Sequence, residues 1–384
     1  MSQKFLFTFM VCFISLLGYI GGSVYIAALP ELSQVFQTSS IIIKFSITIY
    51  FIGFLLGTIL SGLLAELLGR IWTLTFFLLL SIVASLLCGF SPTISWFLGG
   101  RLLEGIGYAG GPVLAMALIA DHYKGAPYHK FMDLILIIIG LGPGIAPIFG
   151  SLLLQFFEWR VIFYVLAALE ALALGLTFFV KLDVSDVRRK VGEALQEYGF
   201  FLKHPYFRYH FLMVGILFGA FYAFIVISPY IFRLHYGWSI FDFVWVGLAV
   251  AFANSFGSFL DRELNVKMGS RKVFLIGLTL IALSLLILFF IGYPKDGVWL
   301  LLTVSLFVVG DNLISSSLIA DAVKMGPQFT SISSSLINLS RVLMTCLILL
   351  LIPVLPEQLI VSNFFFLTAF VICVLGYFKI WRTF

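Results

Sequence analysis

The sequence predicts an all-α polytopic membrane protein of twelve transmembrane helices in two pseudo-symmetric six-helix halves, and three observations support this. First, the 384 residues are 61% hydrophobic and 11% charged, with mean hydropathy +1.12. A water-soluble globule carries about 25% charged residues. Second, apolar runs of roughly 20 residues, long enough to cross a hydrocarbon core, recur along the whole chain. A β-barrel would show short alternating segments instead. Third, the chain repeats itself at one constant offset. Leu118-Ile119-Ala120-Asp121 with Lys124 returns as Leu318-Ile319-Ala320-Asp321 with Lys324, and Gly57, Gly69, Gly110 and Pro127 return as Gly257, Gly269, Gly310 and Pro327. An Asp and a Lys in register are not what apolar composition supplies. Duplicated halves in a membrane protein place a substrate site between them, which points to a transporter.

The first run, 5–28, follows Lys4 but exceeds the 7 to 15 residues of a signal-peptide core, so it reads as the first span. Runs at 42–65, 71–90, 94–120, 131–154 and 161–181 complete a first half over residues 1–182. A polar linker, 183–207, holds Asp183, Asp186, Arg188, Arg189, Lys190, Glu193, Glu197 and Lys203. Its stretch 193–198 has helical composition with apolar and charged sides; it is either a helix on the membrane surface or a plain solvated connection. The second half, 208–384, has runs at 208–233, 241–263, 271–291, 298–322, 330–353 and 358–381.

Most Lys and Arg residues lie on the side of the N-terminus, with Lys44, Arg160, Arg233 and Lys295 opposite. Both termini are therefore expected in the cytoplasm, with the chain in the inner or cytoplasmic membrane. The net charge of +5 follows these membrane edges and forms no stripe for nucleic acid. Cys12, Cys88, Cys346 and Cys373 sit in apolar runs without metal-ligand spacing and read as buried apolar residues. The five histidines lie in or beside loops, away from any mid-membrane proton relay. No Ser/His/Asp set, metal cluster, P-loop or nucleotide fingerprint appears, so neither an enzyme nor a cofactor is expected.

Ionised side chains inside spans mark functional sites, because each costs about 2.5 to 3.5 kcal/mol at mid-membrane on insertion scales. There are five: Arg101 and Glu104 in the fourth span, Glu170 in the sixth, Asp311 in the tenth and Arg341 in the eleventh. Arg101 and Glu104 are three apart on one helical face, and form either an intrahelical structural pair or part of a binding site. Glu170 serves a structural hydrogen bond or a proton. Arg341 either neutralises Asp311 or binds an anion. Tyr25 and Tyr222 are the aromatic candidates for stacking on a ligand.

Gly62-Leu63-Leu64-Ala65-Glu66-Leu67-Leu68-Gly69-Arg70 resembles the G-x-L-a-D-r-x-G-r cytoplasmic loop of the major facilitator superfamily. Arg101 to Gly107 resembles its R-x-x-q-G-x-g, and Gly142 to Ser151 its G-x-x-x-(G/A)-P-x-x-G-G antiporter motif. Within that superfamily, Ser23 to Glu31 and Ser228-Pro229-Tyr230 with Gly237-Trp238-Ser239 are similar to the bicyclomycin and chloramphenicol resistance-type drug/proton antiporters, although Ser23 stands where an acid is usual. The resemblance implies the major facilitator fold, with spans one, four, seven and ten lining the cavity, so that Glu104 and Asp311 bind protons or substrate. It implies a cytoplasmic gate of Glu66, Arg70 and Asp121, clustered in the outward-open state. It also implies a fifth span that bends at Gly142, Pro143, Pro147 and Gly150 against its neighbour in the other half.

The leading expectation is a monomeric, proton-coupled exporter of a small organic compound, with the substrate, protons and the bilayer as its partners. The missing acid at Ser23, with Arg101 and Arg341, supports an organic-anion transporter for a carboxylate metabolite or siderophore as the alternative. A transporter-like sensor or scaffold without turnover is the third.

Overall fold

A computed structural model describes residues 3–123, 126–179, 203–291, 296–324 and 330–352, with 370, 371 and 374. Most of the linker, including 193–198, lies outside the described residues. So do Lys124, Pro327, Cys373 and nearly all of the run 358–381. The chain divides into two compact units, Met1–Glu193 and Ala194–Phe384. Among the described residues, nine helical segments are long and apolar enough to cross a membrane, and Gly144–Phe156 and Leu336–Leu351 are shorter apolar helices.

In the first unit, α1 (Gln3–Ser23) leads through a 3₁₀ turn at Ile26–Ala28 into the short α2 (Leu29–Val35). There follow α3 (Ser40–Leu68), α4 (Arg70–Gly89), α5 (Ile94–His122), α6 (Ala126–Phe156) and α7 (Trp159–Phe179). In the second unit are α8 (Pro205–Pro229), α9 (Ile240–Met268), α10 (Ser270–Ile291), α11 (Gly297–Lys324) and α12 (Thr330–Leu351). At the starts of α3, α5 and α9, side chains cap some of the orphan N–H groups that every helix N-terminus leaves. Ser39 accepts from the Ile42 N–H at 3.4 Å, Thr93 from Trp96 at 3.4 Å, and Ser239 forms a capping box with Asp242.

These helices are apolar all round, and polarity turns inward rather than outward. On α4, Trp72, Phe76, Leu79 and Val83 form an exposed stripe, while Thr73, Phe77, Ser81, Ser85 and Cys88 are buried. With lipid outside, the few polar atoms face other helices because only protein offers them hydrogen bonds.

Glycine repeats organise both units alike. Gly69 and Gly269 join α3 to α4 and α9 to α10 with φ of 84° and 78°, a region that favours glycine. On Gly57 of α3 a Cβ would lie 2.8 Å from Cβ of Ala109 on α5, and on Gly257 of α9 it would lie 2.8 Å from Cβ of Asn312 on α11. Gly110 faces Phe77 of α4, and Gly310 faces Gly277 of α10. Each pair supports the same helix–helix approach.

Gly57→Val is therefore expected to destabilise the protein, by about 1–3 kcal/mol or more, since backbone as well as side-chain atoms of α5 stand in its way. Gly175→Ala, on α7 with nothing within 4 Å, is expected to stabilise by about 0.5–1 kcal/mol through helix propensity. Thermal unfolding of the two variants in one detergent checks the pair; a Gly57→Val protein as stable as the parent would exclude close packing there.

Candidate functional site: buried charges in each unit

In the first unit, Arg101 and Glu104 stand on one face of α5 and neither is exposed at all. They form an ion pair through Arg101 Nη1 and Glu104 Oε2. The guanidinium packs against two rings, with Cζ 4.2 Å from the centroid of Tyr25 and 4.4 Å from that of Tyr50. It also donates from Nη1 to the Gly21 carbonyl at 3.2 Å and from Nη2 to that of Gly22 at 3.5 Å. Glu104 accepts from Ser85 Oγ at 3.0 Å and from Cys88 Sγ at 3.6 Å. Charge-assisted bonds and two π-faces take the place of hydration.

Glu170 on α7, also buried, accepts from Ser81 Oγ at 3.0 Å. Ser81, Ser85 and Cys88 follow one face of α4, so that helix serves both carboxylates. The sequence signal was small polar residues at helical spacing; it singled out neither serine, and Cys88 read as apolar filler. Tyr50 was equally unmarked, although its hydroxyl also holds the Gly18 carbonyl at 3.1 Å.

Arg70 on the first turn of α4 meets Asp121 near the end of α5, Nε to Oδ2 at 3.3 Å, with both side chains about one-fifth exposed. Glu66, on the last turn of α3, forms no ion pair among the described residues, so two of the three expected gate residues meet. On α6, which runs as a helix through Pro143 and Pro147, Gly142 faces Tyr19 of α1 and Gly150 faces the Val24 carbonyl just beyond the end of α1.

In the second unit, Asp311 on α11 accepts from Ser315 Oγ at 2.8 Å and is 8% exposed. Arg341 on α12 is partly exposed and within Coulombic reach of Asp311. Its Cζ lies 5.4 Å from the ring centroid of Phe218 on α8, and the Tyr222 ring meets that same ring at a 43° tilt with centroids 5.8 Å apart. Gly215 and Gly219 let α12 close on α8, where added Cβ atoms would meet Met344 and Ile348 at 2.6 Å. Among the described residues, no three His, Cys, Asp or Glu side chains gather to hold a metal.

Glu104→Gln leaves Arg101 buried without its counter-charge and should cost about 3–5 kcal/mol, whereas Arg101→Met with Glu104→Leu should recover most of that loss. Thermal unfolding of both variants beside the parent tests this; a double variant as unstable as the single one would sink the account.

Three kinds of comparison bear on this arrangement. The family model described as "Major Facilitator Superfamily" matches residues 11–349. The Bicyclomycin resistance protein homolog of Haemophilus influenzae is 24% identical over 88% of this chain and 87% of its own length. An MFS-type transporter of Bacillus subtilis, YdgK, is 27% identical over 62% of this chain, and the multidrug resistance protein MdtL of Salmonella heidelberg is 28% identical over 47%. The alignments span 60% and 46% of those two relatives. Among solved structures, a D-xylose-proton symporter superposes with TM-score 0.79 at 18% identity, covering 99% of this chain and 98% of its own. A peptide transporter superposes with TM-score 0.76 at 12% identity, covering 100% and 98%; at such identities the likeness is one of fold. With a family model matched along most of its length and a helical fold shared with solved transporters, the chain belongs to the major facilitator superfamily and is a multi-pass membrane transporter.

Proposed function

We propose that this transporter is a proton-coupled exporter of small drug-like molecules, built from twelve spans in two six-helix halves and working as a monomer by alternating access. Both termini would face the cytoplasm from the inner membrane. The relative named for bicyclomycin resistance, aligned along 88% of the chain, is the observation that carries the drug-like cargo. The carboxylates differ in reach, and that supports a choice among proton carriers. Glu104 is enclosed by Arg101, Ser85 and Cys88, whereas Asp311 retains 8% exposure beside a partly exposed Arg341. Asp311 is the group a proton or substrate reaches without first opening a cage. Competition between proton and substrate there couples the two fluxes. On this reading Arg101, Glu104 and Glu170 hold the first unit's shape, with Tyr25 as one wall of the cage and Tyr222 as a support for the Phe218 ring.

A second reading rests on Arg341. A guanidinium braced on an aromatic ring suits an organic anion, such as a carboxylate metabolite or siderophore. The Arg70–Asp121 pair is proposed as the cytoplasmic gate, with Gly142, Pro143, Pro147 and Gly150 on the helix that bends during the cycle.

In vesicles with an imposed pH gradient, Asp311→Asn is expected to lower drug flux on the order of tenfold or more while drug binding persists. Full gradient-driven flux in that variant would remove Asp311 from the mechanism. Polycarboxylate uptake or release lost in Arg341→Ala, with drugs inert, would establish the anion reading in its place.

Asp121→Asn should remove a partly exposed pair contributing about 0–1 kcal/mol, which shifts a two-state population up to about fivefold. Transport should fall, and distances between spin labels on the cytoplasmic ends of the two halves should move toward the open form. An unchanged distribution with full transport would reduce the pair to a helix cap.

A further inference from the structure

The second unit holds a groove that the transport reading does not use. It is an open groove of about 620 Å³ along the first turns of α9 and α11, lined among others by Trp238, Asp242, Trp245, Leu248, Phe252 and Asp296. Its long wall is one face of α9: Asp242, Trp245, Leu248 and Phe252 follow one another at three- and four-residue steps. At 1.5 Å per residue that wall runs about 15 Å, the depth of one leaflet of a roughly 30 Å hydrocarbon core. Trp245 is 57% and Phe252 71% exposed, so the wall presents open aromatic and aliphatic surface in a helix of membrane-spanning length. Asp311 lies fifteen positions beyond Asp296 on α11, about 22 Å further along the helix; the groove is a separate place.

Its mouth is acidic. Asp242 accepts through Oδ2 from the Ser239 N–H at 3.0 Å and the Ser239 hydroxyl at 2.7 Å. Asp296 accepts through Oδ1 from the Val298 N–H at 3.0 Å. Each aspartate caps its helix with one oxygen. The other oxygen, Oδ1 of Asp242 and Oδ2 of Asp296, takes no hydrogen bond among the described residues, and neither carboxylate is paired with a described cation.

We propose that this groove binds a phospholipid of the surrounding bilayer whose headgroup carries a primary ammonium. One acyl chain lies along Trp245, Leu248 and Phe252. The ammonium sits at the mouth, where its N–H groups donate to the two open carboxylate oxygens in charge-assisted bonds and the indoles of Trp238 and Trp245 offer π-faces to the cation. A choline headgroup has no N–H to donate, and a glycerol headgroup leaves a net anion facing two aspartates.

The test is native mass spectrometry of the full-length protein with equal amounts of phosphatidylethanolamine, phosphatidylcholine and phosphatidylglycerol of identical chains. Phosphatidylethanolamine should be retained about fivefold over phosphatidylglycerol. The preference should vanish in Asp242→Asn with Asp296→Asn, which keeps both helix caps. Trp245→Ala with Phe252→Ala should lower retention of all three lipids. Equal retention by the native protein, or an unchanged preference in the double Asn variant, would overturn the proposal. Displacement by free ethanolamine as readily as by the lipid would overturn it too, because the acyl wall would then contribute nothing.

Discussion

A guanidinium in the middle of a membrane helix has no water to solvate it, so each face of Arg101 has to meet protein, and much of the first unit is arranged to supply those faces. Its own helix supplies Glu104, and α3 supplies the Tyr50 ring. The rest comes from the end of α1. That helix stops at Ser23, and carbonyls in a last turn lack intrahelical donors; Gly21 and Gly22 turn theirs to the guanidinium, while Tyr25 brings a second ring against it. Helix α4 completes the set through Ser85 and Cys88, which bind the carboxylate rather than the cation. Four segments thus converge on one ion pair.

Such convergence needs helices that approach closely, and glycine supplies the room. Gly100 and Gly105 flank the pair: an added Cβ at Gly100 would lie 2.7 Å from Cys88 Sγ, and one at Gly105 would lie 2.9 Å from the Phe54 nitrogen. The residue that neutralises Arg101 and the residues that bring α3 and α4 within its reach are therefore chain neighbours. Without the glycines, Tyr50 and Cys88 would stand a side chain's width further off.

What the sequence revealed follows from which signals are local. Spanning runs, the one-face relation of Arg101 to Glu104 and the repeat are carried by chain spacing, and so is the Gly69 turn that recurs at Gly269. The partners Ser81, Ser85 and Tyr50 were invisible because each is an ordinary residue in its own helix and gains meaning only from what another helix brings opposite. Tyr25 was legible as an aromatic candidate, but its contact with Arg101 was not, because the two residues lie on different helical segments. In the second unit, Asp311 and Arg341 were visible as charges, but Phe218, which braces Arg341, was one phenylalanine among 43. Composition hides a ring that meets a charge in a chain this aromatic.

The repeat also separates what the fold needs from what the chemistry needs. At its constant offset, the glycines of contact and turn return, as do Asp121 and Lys124, but the buried charges inside the spans do not. Arg101 and Glu104 correspond to Leu301 and Val304, Ser81 and Cys88 to Ile281 and Leu288, all buried. Conversely, Asp311 corresponds to Gly111 and Arg341 to Leu141. The second unit thus fills the Arg101 position with aliphatic side chains and no ion pair, so this helix architecture does not require the charge. Exchanging a buried ion pair for apolar residues is often neutral or stabilising, and evolution has in effect placed both solutions in one chain. What an ion pair adds over Leu and Val is direction: a guanidinium fixes which carbonyls and which rings it meets, where an aliphatic core accepts many arrangements. The first unit therefore commits its charge to holding the broken end of α1 in one geometry, while the second sets Asp311 against Ser315 and Arg341 against the Phe218 ring.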